Sequence, residues 1–247
     1  MSLDDTSWQT QNVSEDIRNA THFINCVYCF MSDDEEKPKF GVLSKYLQGT
    51  NLSAIKQTRL EYEVPFEYAK VPGKISQGSP FEIVLQFLNR NLDSFSKCLE
   101  ALTLYSDPSD WIVCAVYLRR SEIKFSTVTQ LLELGASPNA SHQGITCLQM
   151  AVDDRDREVV KALLDAGADP NKYIGDVVSV VDEEQTFPGT SHLKGSSPLW
   201  LCTRHERELT EHEEDWDQFK EIESMLRDKG ARAFCTPTDG TLEIWRD

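Results

Sequence analysis

Apolar positions along this chain change period several times, and the changes outline its elements. In "TCLQMAV" (146–152), Leu148, Ala151 and Val152 fall at i, i+3 and i+4, the spacing of one helix face. A polar break, "DDRDRE", follows. Val159, Val160, Leu163 and Leu164 then form a second stripe at the same period. Thr146 stands where a helix N-cap belongs, and Gly144 where a tight turn needs a positive φ. Gly167 stands where a helix C-terminus closes. The pattern predicts turn, helix, turn, helix and turn within about 32 residues.

The unit is written more than once. "LLELGASPN" begins at Leu131 and "LLDAGADPN" at Leu163, 32 residues later. A catalytic loop is rarely needed twice at a fixed interval. A stacked unit is, because the face it buries against its neighbour must recur. "GSSPLWLC" (195–202) repeats the opening and "IESMLRDKGA" (222–231) the closing, with Gly230 lying 63 residues after Gly167, so this unit carries two insertions. Upstream, "DWIVCAV" (110–116) stands where a first helix should precede "TVTQLLELGASPN". "GSPFEIVLQFL" (78–88) and "SKCLEALTLYSDPS" (96–109) make a weaker opening and closing.

"GITCLQMA" and "LLDAGADPN" resemble the ankyrin repeat, whose period is ~33 and whose signature includes T-P-L-H-x-A. The resemblance implies an all-α solenoid of stacked helix-turn-helix units. About four units are expected over 75–234, two clear and two degenerate, with insertions at 172–194 and 205–219. Residues 1–74 are expected to form a helical N-terminal cap region or decayed repeats, and 235–247 a C-terminal capping segment. The resemblance also implies a protein-binding module that works through hairpin tips and a concave helix face. Carried over position by position, the tip of the clearest unit falls at Ser141, His142, Gln143 and Ile145, and its groove end at Asp153 and Asp154. In the last unit the tip falls at Leu193, Lys194 and Ser196, and the groove end at Arg204 and His205. Trp200 replaces the family's His, either as a structural ring or as an exposed anchor, and Trp111 carries the same ambiguity. Interface hot spots favour Trp, Tyr and Arg, which adds Tyr173 to the partner-binding set.

The ends and insertions are more individual. "SEDIRNATHFINCVYCFM" predicts a helix with Ser14 as N-cap, and "KFGVLSKYLQ" a shorter one. Between Asn171 and Ser197 lie 25 residues, against six between Asn139 and Thr146. "DVVSVVD" in that insertion is β-branched, so a strand or a plain surface loop fits it. "HERELTEHEEDWDQFK" holds seven acids between Glu206 and Asp217, either a solvated face or a dock for a basic peptide. "TDGTLEIWRD" is expected to fold back over the last helix.

Composition narrows the function. The formal net charge of −16 repels nucleic acid and suits either solubility or a basic partner. No stretch approaches a membrane span, and the first residues lack the pattern of a secretory signal. Seven scattered cysteines fit a reducing interior, cytoplasm or nucleus, with Cys114, Cys147 and Cys202 as small apolar residues. Cys26-x2-Cys29 with His22 one turn earlier is the nearest approach to a metal motif. A structural zinc wants four ligands, so no metal or cofactor is expected. No nucleophile elbow, phosphate loop or H-E-x-x-H occurs, and no catalytic residue is assigned. The expected function is therefore a non-catalytic, monomeric module that binds a protein or peptide. The alternative is a scaffold or regulatory domain packing against other domains of a longer chain.

Overall fold

The computed structural model describes residues 15–32, 47–48, 51–55, 58, 60–63, 75–88, 92–118, 121–142, 144–172, 193, 195–208, 216–235 and 243–244. They are mostly helical and fall into two compact units, Met1–Ser106 and Asp107–Asp247. The all-α expectation is corrected in one respect. Three two-stranded antiparallel pairs accompany the helices among the described residues: one ahead of the helix Pro80–Leu88, one in the hairpin between two helical pairs, and one after the last helix.

In the first unit, α1 (Glu15–Ser32) buries Ala20, Phe23, Ile24 and Val27, a stripe at helical spacing. A short helix, α2 (Leu52–Ile55), and α3 (Pro80–Leu88) pack on α1, and α4 (Leu92–Thr103) packs on α3. The Phe23 and Phe81 rings lie 6.0 Å apart, tilted by 49°. Strands β1 (Leu60–Glu63) and β2 (Ile75–Gly78) pair and lead into α3. That helix opens on a reciprocal cap. Ser79 N–H donates to Glu82 Oε2 at 2.9 Å, and Glu82 N–H donates to Ser79 Oγ at 3.3 Å.

The second unit holds three helical pairs: α5 (Pro108–Val116) with α6 (Ser121–Glu133), α7 (Cys147–Asp153) with α8 (Arg157–Asp165), and α9 (Pro198–Glu208) with α10 (Trp216–Asp228). The first helices pack in the order α5, α7, α9 and the second helices in the order α6, α8, α10. The two layers are buried differently. In α5, Trp111–Val116 are all buried, and in α7 so are Cys147–Val152. α7 is covered by α5 and α9 on either side and by its own partner α8. The second helices keep one exposed face, as in α8, where only Val159, Val160, Leu163 and Leu164 are buried.

Capping fixes where each helix begins. Asp107 accepts from Ser109 N–H at 2.8 Å with Pro108 at the first helical position, and Asp156 accepts from Val159 N–H at 3.2 Å. Thr146 caps α7 as expected, in a capping box with Gln149. The second helices end in the same closure three times. Ala136, Ala168 and Ala231 donate to the carbonyls of Leu131, Leu163 and Leu226 at 2.9–3.0 Å, while Gly135, Gly167 and Gly230 hold φ of 93°, 92° and 80°. A Cβ at any of these glycines would meet nothing within 4 Å, so the requirement is the backbone angle and not space.

The asparagine that ends each quoted string ties its unit to the next. Asn139 Nδ2 donates to Gly167 O at 3.3 Å, and Asp169 N–H donates to Asn139 Oδ1 at 2.8 Å. Asn171 repeats this with Gly230 O at 3.0 Å and Arg232 N–H at 2.7 Å. One unit earlier, the N–H of Ser137, equivalent to that of Asp169, donates to Ser109 Oγ at 3.1 Å. The last strands continue the theme. β5 (Phe234–Cys235) bridges to Ser196 and pairs with β6 (Glu243–Ile244), so the chain's end returns to the start of α9 as well as following α10.

Two outcomes are expected in urea unfolding. Asn139→Ala and Asn171→Ala should each lower stability by about 1–2 kcal/mol, two modest hydrogen bonds apiece; unchanged midpoints for both would remove the ladder's role. Thr127 is fully buried with no hydrogen bond to its hydroxyl. Thr127→Val should therefore raise stability by about 1 kcal/mol, and a loss would mean that the hydroxyl has a partner.

Candidate partner-binding surface

The expected tip of the clearest unit is a hairpin. β3 (Ser141–His142) pairs with β4 (Ile145–Thr146), with Ser141 opposite Thr146 and His142 opposite Ile145. Gly144 holds φ 84° in the two-residue loop, as expected. Ser141 and His142 are half-buried, and Gln143 lies outside the described residues. Ile145 is 2% exposed, which corrects its place on the binding surface. Its side chain alternates inward from the hairpin, because period 2 turns successive residues to opposite sides. Leu193 and Ser196 of the last unit are likewise buried. Their carbonyls take the two donors of Gln149 Nε2, at 2.9 and 2.6 Å. Gln149 is fully buried with both ends of its amide bonded. It holds the far end of the 172–194 insertion.

The groove ends of the first helices are accessible. Asp153, the last residue of α7, is half-buried and Asp154 exposed. On α9, Trp200 is half-buried and Arg204 exposed, with the Arg204 guanidinium 5.6 Å from the centre of the Trp200 ring. His205 lies on the next turn of α9. α7 and α9 pack side by side, and Asp153 and Asp154 occupy in their unit the sequence positions that Arg204 and His205 occupy in the next. Trp111 is fully buried, so the ambiguity read for it resolves to core. Tyr173 and Lys194, the "DVVSVVD" segment and the middle of the acidic insertion lie outside the described residues.

One charged cluster went unread in the sequence. Lys124, 3% exposed, donates to Asp154 at 2.5 Å and lies 3.7 Å from Asp156. It joins α6 to the turn between α7 and α8. Burial pushes the Asp156 carboxyl above its ordinary range, against the lowering effects of the Val159 N–H and Lys124. The available signal was position: Lys124, Val128 and Leu131 form one helical stripe, so the lysine occupies a core place. Asp154 thus has a structural duty beside any role in binding. In the same turn Arg155 holds φ 60° and sets its guanidinium 5.1 Å from the Phe219 ring.

Thiol chemistry is suppressed in the core. Burial pushes Cys98 and Cys147 up to about 12. Cys114 and Cys202 are buried as expected, and Cys26, Cys98, Cys114, Cys147, Cys202 and Cys235 are free thiols. His22 Nε2 and Cys26 Sγ lie 3.8 Å apart on an exposed face of α1. Among the described residues no group of His, Cys, Asp and Glu could hold a metal ion.

A family model described as Ankyrin repeat matches residues 143–173. The chain carries an ankyrin repeat. The match covers the β3–β4 hairpin loop, α7, α8 and the Gly167 closure, the unit that the sequence writes most clearly. Ankyrin repeats generally mediate protein–protein interaction and are typically non-enzymatic. No curated protein matches the chain. Among the described residues no helix is long and apolar enough to cross a membrane.

Lys124→Met should destabilise by about 3 kcal/mol, since it leaves Asp156 facing Asp154 without its cation. Adding Asp156→Asn, which removes the charge and keeps a good cap, should restore part of the loss. An unfolding midpoint unmoved by Lys124→Met would show the cluster to be idle.

Proposed function

We propose that this chain is a non-catalytic module that binds a protein or peptide across the hairpin tips and the exposed end of its first-helix layer. The reading that goes with it is a solenoid of about four units over 75–234, capped by 1–74 and 235–247. The supporting observation is the in-register stack. α7 packs beside α9, and the repeat gives Asp153 and Asp154 the positions that Arg204 and His205 hold in the next unit, which favours reading the four as one surface. His142 at the tip and the Trp200–Arg204 pair complete the surface, with Gln143, Tyr173 and Lys194 proposed from sequence alone. Trp200 offers a ring whose cation partner already orders it, the kind of rigid anchor that hot spots favour.

The partner we propose is basic, and no nucleic acid or membrane is expected to bind. A net charge of −16 steers cationic surfaces toward this chain and makes the encounter salt-sensitive. The free thiols suit a reducing interior, cytoplasm or nucleus.

The test is affinity capture from a lysate with His142→Ala, Asp153→Ala and Arg204→Ala combined, beside the wild type. Asp154 is left intact because it pairs with Lys124. A protein held by the wild type should be lost by the variant, and its recovery should fall steeply as salt rises. Equal recovery by both forms would favour the scaffold reading, a stack resting against neighbouring domains of a longer chain. Recovery unchanged by salt would reject the basic partner.

A further inference from the structure

The second-helix layer holds a groove that the proposed tip surface does not use. It runs between α6 and α8, with a volume of about 450 Å³. Phe125, Thr129 and Leu132 line one wall at helical spacing, and Ala162 and Ala166 line the other. The small alanines leave room that larger side chains would fill. Phe125 is 38% exposed, one of two large apolar side chains so exposed among the described residues. Phe125 and Leu132 span seven residues of helix, about 10 Å.

The neighbouring gap in the same layer is closed differently. Between α8 and α10, Arg157 donates to Glu221 at 2.6 Å, and Lys229 reaches Asp165 at 3.5 Å. Along the α6–α8 groove no ion pair crosses among the described residues. Its rim carries Glu133 and Glu158, both exposed, and Lys161, which is held by Asp165 on its own helix at 2.9 Å. The rim therefore presents two exposed carboxylates beside an apolar floor, Glu158 also acting on Arg157 of its own helix.

The geometry points to a second docking site, the α6–α8 groove, for a basic peptide segment that sets a bulky apolar side chain beside Phe125 and its lysines or arginines against Glu133 and Glu158. Charge complementarity selects this occupant. A second copy of the chain, itself at −16, would bring like charge to the acidic rim. The site rests on the same acidic character as the proposed tip surface but on different residues, so either can fail alone.

The experiment is fluorescence anisotropy with a labelled peptide that carries two leucines at i and i+3 flanked by lysines. A matched peptide with glutamates for lysines serves as control. Saturable binding of the lysine peptide alone is expected. It should weaken at least about tenfold in Phe125→Ala and again in Glu133→Lys with Glu158→Lys, all exposed positions that leave the stack folded by circular dichroism. Ala166→Leu, which fills the groove, should act like Phe125→Ala. The His142, Asp153 and Arg204 variant should bind as the wild type does. No saturable binding, or binding indifferent to Phe125, Ala166 and the two glutamates, would overturn the site. So would loss of binding in the tip variant alone. Self-association abolished by Phe125→Ala would assign the groove to a second copy instead.

Discussion

One side-chain amide at the end of each unit sets the register of the stack. Hydrophobic burial supplies most of the cohesion, but it has no direction. The fully buried Val159, Val160 and Leu163 would tolerate a slide along their neighbours far better than a hydrogen bond would. Asn139 and Asn171 remove that freedom. Each offers a donor and an acceptor to the backbone of the next closure, one carbonyl and one N–H, as a paired strand would. The energy of each pair is small beside the burial. Its consequence is large, because the groove ends on α7 and α9 can form one surface only if the units are in register.

The insertions are absorbed for the same reason. Asn139 reaches its acceptor 28 residues ahead and Asn171 reaches the equivalent one 59 ahead. The intervening chain changes and the contact does not. Gln149 secures the return of the longer insertion by taking the carbonyls of Leu193 and Ser196. With both ends tied, the added residues leave the packing of α7 on α9 undisturbed. Where the asparagine is missing, at the start of the second unit, Ser109 supplies a single acceptor in its place. A worn sequence therefore keeps a shorter version of the bond.

The repeat was legible because its recurring letters serve packing. The Leu131 and Leu163 positions are buried, and Gly135 and Gly167 take the positive φ that their place demands. Thr146 announced an N-cap, but not the capping box with Gln149 nor the clamp that the glutamine's amide puts on the following unit. The asparagine was visible as a letter, but its partner lies across an insertion whose length alone says nothing of contact. Ile145 and Ser196 were misplaced because a tip was expected to face outward, whereas alternation in the hairpin and the Gln149 clamp turn them in. Lys124 was passed over because a lysine on an amphipathic helix is read as solvated, and only its partners in the next turn make it a core residue.

The two layers of the stack thus divide the work. The first helices are the more deeply buried layer, so a partner meets mainly their ends and the half-buried Trp200, and those ends bear opposite charges: Asp153 and Asp154 against Arg204. A surface of mixed sign favours orientation more than strength. The second helices keep a free face, and its two gaps have been treated unequally. Ion pairs span the gap between α8 and α10, where Arg157 and Lys229 find carboxylates. The gap between α6 and α8 keeps an aromatic ring at its edge and two exposed glutamates that make no ion pair across it among the described residues. Exposed ion pairs contribute little to stability, so the open gap costs the fold little. An exposed Phe125 in a chain this acidic is better explained by something it meets than by anything it stabilises.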